Sequence, residues 1–172
     1  MLGGLDHPSA GKLLVDGIDL LKLSDSQLVK YKRETVGFVW QNNARNLVPY
    51  LTALENVELP MLITNRANKR ERALDILEMV GLSSRKNNKL SQLSGGEQQR
   101  IAISIAIANN PKMLLADEPT GAVDTKTSNM ILDIFGELNR NLGITVVIVT
   151  HGYYQVSKLD SIKTFYGDIY KW

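Results

Sequence analysis

The chain has 172 residues, 44% of them apolar and 22% charged, which is the composition of one globular domain with room for a real core. A net charge of +2 makes no case for a nucleic-acid partner or an anionic surface. The lack of cysteine excludes disulfides and thiolate metal sites and points to a reducing compartment.

The first element in chain order is 13-LLVDGIDL-20, a short hairpin pivoting on Asp16-Gly17. Ser24-x-x-Gln27 is a capping box that opens a helix. Residues 36-VGFVW-40 are short, β-branched and followed by polar Gln41, the pattern of a buried parallel strand. Between 42 and 92 no convincing strand is present, so a mostly helical insertion is expected there. A second capping box, Thr52-x-x-Glu55, opens one of its helices. Another spans 67–80, with Leu74, Leu77 and Val80 at helical spacing and Gly81 as the stop. The polar run 83-SSRKNNK-89 reads as a solvated loop.

Ser94-Gly95-Gly96-Glu97 is a third capping box. The run 101-IAISIAIA-108 alternates large and small residues, which also fits a strand. Its place after a cap, with no turn residue before Asn109-Asn110-Pro111, favours a helix buried on most sides. A second strand, 113-MLLA-116, ends on Asp117-Glu118. A helix over 125–142 carries Met130, Ile131, Ile134, Phe135, Leu138 and Leu142 on one face, with Gly143 at the C-terminal cap position. The third strand, 144-ITVVIVT-150, ends on His151. No apolar run nears the ~20 residues of a membrane-spanning helix. The opening MLGGLDHPSAGK has no basic region leading into an apolar core, so it does not read as a signal peptide.

Three strands thus end on functional side chains: Gln41, the Asp117-Glu118 pair and His151. In open α/β sheets ligands bind outside the carboxyl ends of the strands, so all three point to one crevice. The Gly-Gly pair adds a fourth piece. A capping box accounts for Ser94 and Glu97 but not for two glycines in a first helical turn, where each is unfavourable by up to ~1 kcal/mol relative to alanine. Uncovered backbone N–H groups at a helix start suit a phosphate.

These runs together, VGFVWQN, LSGGEQQR, MLLADEPTGAVD and VIVTH in that order, resemble the ATP-binding cassette (ABC) ATPases. Residues 1–20 and 47–61 look most like the branch serving lipoprotein release, macrolide export and peptide export. The resemblance implies an α/β, P-loop NTPase-like fold: a mostly parallel sheet flanked by helices, with a helical subdomain. Residues 1–41 and 93–172 would form a partial nucleotide-binding core. Residues 42–92 would form the helical subdomain, its signature loop and helix running on to about 110. ATP and Mg²⁺ are the implied cofactors. Ser94, Gly95, Gly96 and Glu97 would contact the γ-phosphate of ATP held by a second nucleotide-binding subunit in a head-to-tail dimer. Asp117 would hold Mg²⁺ and Glu118 would orient or deprotonate the attacking water. Gln41 would sit near the metal, Asp124 at the dimer interface, and His151 against the γ-phosphate. The implied location is the cytoplasmic face of the cell membrane, reached through a transmembrane permease. Two departures stand out: Ser104-Ile105 replaces the usual Ala-Arg, and Gly152 replaces the acid that commonly follows the histidine.

A phosphate loop, G-x-x-x-x-G-K-[ST], is not found. The single Gly-Lys, Gly11-Lys12, lacks the correctly spaced upstream glycine and is followed by Leu13 rather than a hydroxyl. On the resemblance this SAGK turn follows the first helix, so the expectation is an N-terminally truncated cassette. It would lack a central strand, leave bare strand edges, and neither bind nor hydrolyse ATP alone. Two functions compete: the ATPase subunit of an ABC exporter, here incomplete, or a non-catalytic half-cassette regulating or scaffolding an intact one in trans. A third, a ribosomal or chromosomal ABC ATPase, fits less well, since Gln41 and Ser94 are not separated by a coiled coil and no second cassette is present.

Overall fold

The computed structural model describes residues 1–6, 11–41 and 46–150, and the backbone of 163–165. Two antiparallel strands, β1 (Leu14–Val15) and β2 (Ile18–Asp19), form the hairpin. Asp16 and Gly17 both take positive φ, 50° and 75°, as a two-residue turn matched to strand twist requires. Then follow α1 (Asp25–Glu34), β3 (Val36–Val39), α2 (Ala53–Ile63), α3 (Lys69–Met79) and α4 (Gly95–Ile107). The chain continues through β4 (Met113–Asp117), α5 (Thr125–Leu142), β5 (Thr145–Val149) and β6 (Lys163–Phe165).

Strands β3, β4, β5 and β6 lie side by side in that order, all parallel. The expectation of bare strand edges is not met at β5, which is paired on both sides. Side chains alternate between the two faces of the sheet. Val39, Leu114, Ala116, Val146 and Ile148 enter one core with α2, α3, α4 and α5. Val36, Met113 and Val147 enter a smaller one with Leu28 and Tyr31 of α1. Fully burying a large apolar side chain such as Phe135 or Met61 contributes roughly 1.5–3 kcal/mol, so the larger core carries most of the stability.

All three expected capping boxes form, at Ser24, Thr52 and Ser94. The ambiguous 101–108 run is helical, with Ile101, Ala102, Ile103, Ser104 and Ile107 buried. On α5 the expected face needs a correction. Ile131, Ile134, Phe135 and Leu138 are buried, but Met130 and Leu142 are 40% and 46% exposed, and Leu132 is buried instead. Gly143, at φ 66°, caps the helix as expected.

The segment 83–89 is also more than a solvated loop. The carbonyls of Lys86 and Asn88 accept from the N–H groups of Leu54 and Ala53, two of the donors that the start of α2 leaves open. Thr52 and Lys89 form an isolated antiparallel bridge. Among the described residues, 46–92 hold no strand, and their helices share one continuous core with the sheet.

At its far end α4 is closed by arginines. Arg72 donates to the carbonyls of Ala108 (2.8 Å) and Ile107 (3.2 Å) and to the Asn110 side chain, and Arg66 donates to Ala108 (3.4 Å). Cations here offset the negative end of the helix dipole and use carbonyls that lack intrahelical partners. The helical segment is thereby fastened to the entrance of β4.

Candidate functional site

The sheet places its polar landings at one end. Val39 pairs with Ala116 and Asp117 with Val149, so Gln41, Asp117-Glu118 and Thr150 all leave the sheet on the same rim. Gln41 and Asp117 are exposed there. Glu118 has φ 45°, a left-handed backbone for a non-glycine residue. Such a conformation costs of order 1–3 kcal/mol and persists where the surroundings enforce it. They do so here: Glu118 N–H donates to Val149 O (2.8 Å), Gly121 N–H donates to Glu118 O (3.1 Å), and Thr150 Oγ1 donates to Glu118 Oε2 (3.0 Å). The carboxylate is therefore aimed, not loose. His151, next in the chain after Thr150, lies outside the described residues.

A second cluster lies at the start of α4. Ser94 Oγ accepts from Glu97 N–H (3.3 Å) and donates to Glu97 Oε2 (2.9 Å), which also accepts from Ser94 N–H (2.8 Å). Arg85 Nε donates to Glu97 Oε1 (3.0 Å). The Ser94 backbone N–H above all, then its hydroxyl and Arg85, hold the Glu97 carboxyl below the usual range. Asp124 caps α5, accepting from Thr127 Oγ1 (2.7 Å) and N–H (3.0 Å), and its carboxyl is likewise held low, chiefly by the Thr127 hydroxyl.

The two glycines turn out to differ. A Cβ on Gly95 would meet nothing within 4 Å, so its backbone is open to an approaching group. A Cβ on Gly96 would lie 2.5 Å from Thr127 Cγ2. Gly96 thus has a packing reason of its own: it lets the start of α4 close on the start of α5, which brings Ser94–Glu97 beside Asp124.

The expected residues therefore fall into two groups, Gln41 with Asp117 and Glu118 at the strand ends, and Ser94–Glu97 with Asp124 at two helix starts. The largest of the described cavities, about 630 Å³, lies elsewhere, at the opposite end of the sheet between Leu2, Lys112, Met113 and Ile144. Sequence reasoning missed three participants: Thr150, Arg85 and Thr127. Thr150 was accessible from strand register, since it follows the residue opposite Asp117. Arg85 on Glu97 and Thr127 against Gly96 are tertiary contacts that no local pattern marks, whereas the bond of Thr127 to Asp124 is a local helix cap.

Among the described residues, no three His, Asp or Glu groups converge to hold a metal ion. Mg²⁺ commonly takes only one or two carboxylates and completes its shell with phosphate oxygens and water. Asp117, exposed on the rim beside Glu118, is a carboxylate that could hold such an ion.

Residues 1–121 match the family model for ABC transporters. The chain belongs to the ABC transporter family. It is 48% identical over 157 residues to the uncharacterized ABC transporter ATP-binding protein MJ0796 of Methanocaldococcus jannaschii, covering 88% of this chain and 66% of that one. It is 47% identical over 153 residues to the lipoprotein-releasing system ATP-binding protein LolD of Syntrophus aciditrophicus, covering 88% and 68%. A dimeric structure of MJ0796, in a post-hydrolysis state bound to ADP and Pi, superposes with a TM-score of 0.75 at 47% identity, covering 87% of this chain and 66% of that one. This ABC protein thus spans about two thirds of the length of these relatives. Its fold is that of their ATPase cassettes, with a parallel sheet flanked by helices. No helix among its described residues is long and apolar enough to cross a membrane.

Proposed function

We propose that this chain is a nucleotide-binding subunit of an ABC exporter of the lipoprotein-release and macrolide-export kind, working as one half of a head-to-tail dimer. Residues 1–41 and 93–172 act as its nucleotide-binding core and 42–92 as its helical subdomain, with the signature helix running on to about 110. The observation that carries this reading is Glu118: a strained, hydrogen-bonded carboxylate beside Asp117 on the rim where three strands end.

Phosphoryl transfer depends on in-line placement of water and on neutralising phosphate charge more than on covalent chemistry. In this reading Glu118 orients or deprotonates the attacking water, its direction set by Thr150. Asp117 would hold Mg²⁺ with Gln41 near it, and His151 would donate to the γ-phosphate. When bound, the metal polarises phosphate oxygens. Ser94, Gly95, Gly96 and Glu97 meet the γ-phosphate of ATP carried by the other subunit, with Asp124 at the seam. The helical segment after Gln41 passes nucleotide state to a transmembrane permease, which keeps the chain at the cytoplasmic face. The phosphate-loop lysine that such a site uses is not among these 172 residues. On this chain the signature face is therefore the part to test.

The test adds this chain to the intact MJ0796 cassette at a concentration where that cassette alone is mostly monomeric, and follows phosphate release. The rate per intact subunit rises with the wild-type chain and not with Ser94→Arg. An unchanged rate with the wild-type chain overturns the reading. A fall instead favours the alternative, a non-catalytic half-cassette that regulates or scaffolds an intact one in trans, and an unchanged rate counts against that alternative too.

A further inference from the structure

The start of α4 holds a contradiction that the reading above leaves open. The open backbone N–H of Gly95 and the helix dipole at this turn favour an anion. Yet Glu97 folds its own ionised carboxylate back over that turn, with Oε2 on Ser94 N–H and Ser94 Oγ. A polyphosphate arriving at Ser94 meets a negative charge already in residence. The cation paired with that charge is Arg85, whose Nε lies 3.0 Å from Glu97 Oε1.

Arg85 is not a loose surface arginine in its backbone. Its N–H donates to Leu82 O (2.9 Å), its carbonyl accepts from Asn88 N–H (2.9 Å), and Leu82 is buried. The next residue's carbonyl, at Lys86, anchors the start of α2. The guanidinium is therefore presented to Glu97 from a turn that is itself tied to the helical segment. Its side chain is half-exposed and that of Glu97 mostly covered, so the pair lies at the surface.

We propose that Arg85 is a positioning residue for the Ser94–Glu97 phosphate site. It holds Glu97 in the one orientation that caps Ser94 and offsets the carboxylate charge, so that the helix start can receive the γ-phosphate of ATP held by another subunit. This rests on the trans-nucleotide reading given above. Glutamine at position 97 would have no charge to offset, so the need for Arg85 is conditional on Glu97. That condition separates the proposal from a merely structural arginine.

The experiment measures association of the fluorescently labelled chain with an intact, hydrolysis-blocked MJ0796 cassette loaded with Mg²⁺-ATP, by anisotropy. Four chains are compared: wild type, Arg85→Met, Arg85→Lys, and Arg85→Met with Glu97→Gln. Arg85→Met binds about fivefold more weakly, the upper end for a part-exposed ion pair. Arg85→Lys stays within about twofold of wild type, because the charge is kept, and the double variant binds more tightly than Arg85→Met. Equal binding by Arg85→Met and wild type overturns the proposal. So does a double variant as weak as Arg85→Met, which would make Arg85 a structural support of its turn. The double variant decides even if Arg85→Met melts at lower temperature, since neutralising Glu97 does not rebuild a disordered turn. Absence of ATP-dependent association by the wild-type chain overturns the trans-nucleotide reading, and this proposal with it.

Discussion

Asn56 offers the most direct test of how the helical segment is joined to the sheet. It is 1% exposed and sits on α2 beneath the segment 46–52, which follows β3 and Gln41. Its Oδ1 accepts from Val48 N–H (2.8 Å), and its Nδ2 donates to the carbonyls of Thr52 (2.9 Å), Val48 (3.2 Å) and Leu51 (3.3 Å). Replacement by alanine does not orphan all four partners. Val48 O keeps the N–H of Leu51, and Thr52 O keeps that of Asn56 itself. Val48 N–H and Leu51 O are left without the partner they had. At roughly 1–3 kcal/mol for each unsatisfied buried group, reduced by partial access to water, Asn56→Ala is expected to cost about 2–4 kcal/mol. Urea unfolding followed by tryptophan fluorescence should show a lower midpoint with an unchanged slope. Asn56→Asp is the sharper variant. It keeps the acceptor for Val48 but buries a charge, so its deficit should shrink as pH falls and the new carboxyl is protonated. A loss below about 1 kcal/mol in Asn56→Ala, or a pH-independent deficit in Asn56→Asp, would refute the account of this side chain as the pin of the segment.

The paired glycines should part company. Gly96→Ala forces a Cβ against Thr127 and is expected to cost about 1–3 kcal/mol. Gly95→Ala has open space and should be neutral or stabilising by up to about 1 kcal/mol in thermal melts. Arg72→Met removes the charged closure of α4 and should cost about 1–3 kcal/mol, with Arg72→Lys recovering less than half because one ammonium cannot serve the carbonyls of Ile107 and Ala108 together. Glu118→Gly relieves a left-handed backbone, so it should leave stability unchanged or raise it by about 1 kcal/mol. A large loss in denaturant melts would show that Glu118 is there for the fold.

Titration should reveal two limbs. Glu97 is held below the usual carboxylate range, so its contribution is present above the ordinary carboxyl pKa and disappears as pH falls through the lower folded value; Glu97→Gln should flatten that acid limb. Burial pushes Tyr31 up to about 12, and its hydroxyl donates to Leu2 O. Stability tied to the neutral phenol is therefore complete below pH ~10 and is lost as pH rises toward 12. Tyr31→Phe should abolish this alkaline limb.

Much of this protein was legible without coordinates, because the signals are local. The turn at Asp16-Gly17, the three capping boxes and the Gly143 cap each depend on a few adjacent residues. Their chemistry permits little else once the flanking hydrophobic period is set. The strands were readable for a related reason: 36–39, 113–117 and 145–149 are short apolar runs buried on both faces, each ending on a polar group. Even the shared rim of Gln41, Asp117 and Glu118 follows from parallel pairing.

Tertiary structure alone decided the rest. Whether Met130 and Leu142 are covered depends on what lies against α5 and not on their place in a helical period. The run 83–89 looks like solvated polar chain until its carbonyls are seen on the start of α2 and Arg85 on Glu97. The split between Gly95 and Gly96 is set by a threonine thirty-odd residues away. In each case the deciding partner is distant in sequence. Local propensity chose the elements, but the burial, charge and spacing at the site come from surfaces that meet only when the chain has folded.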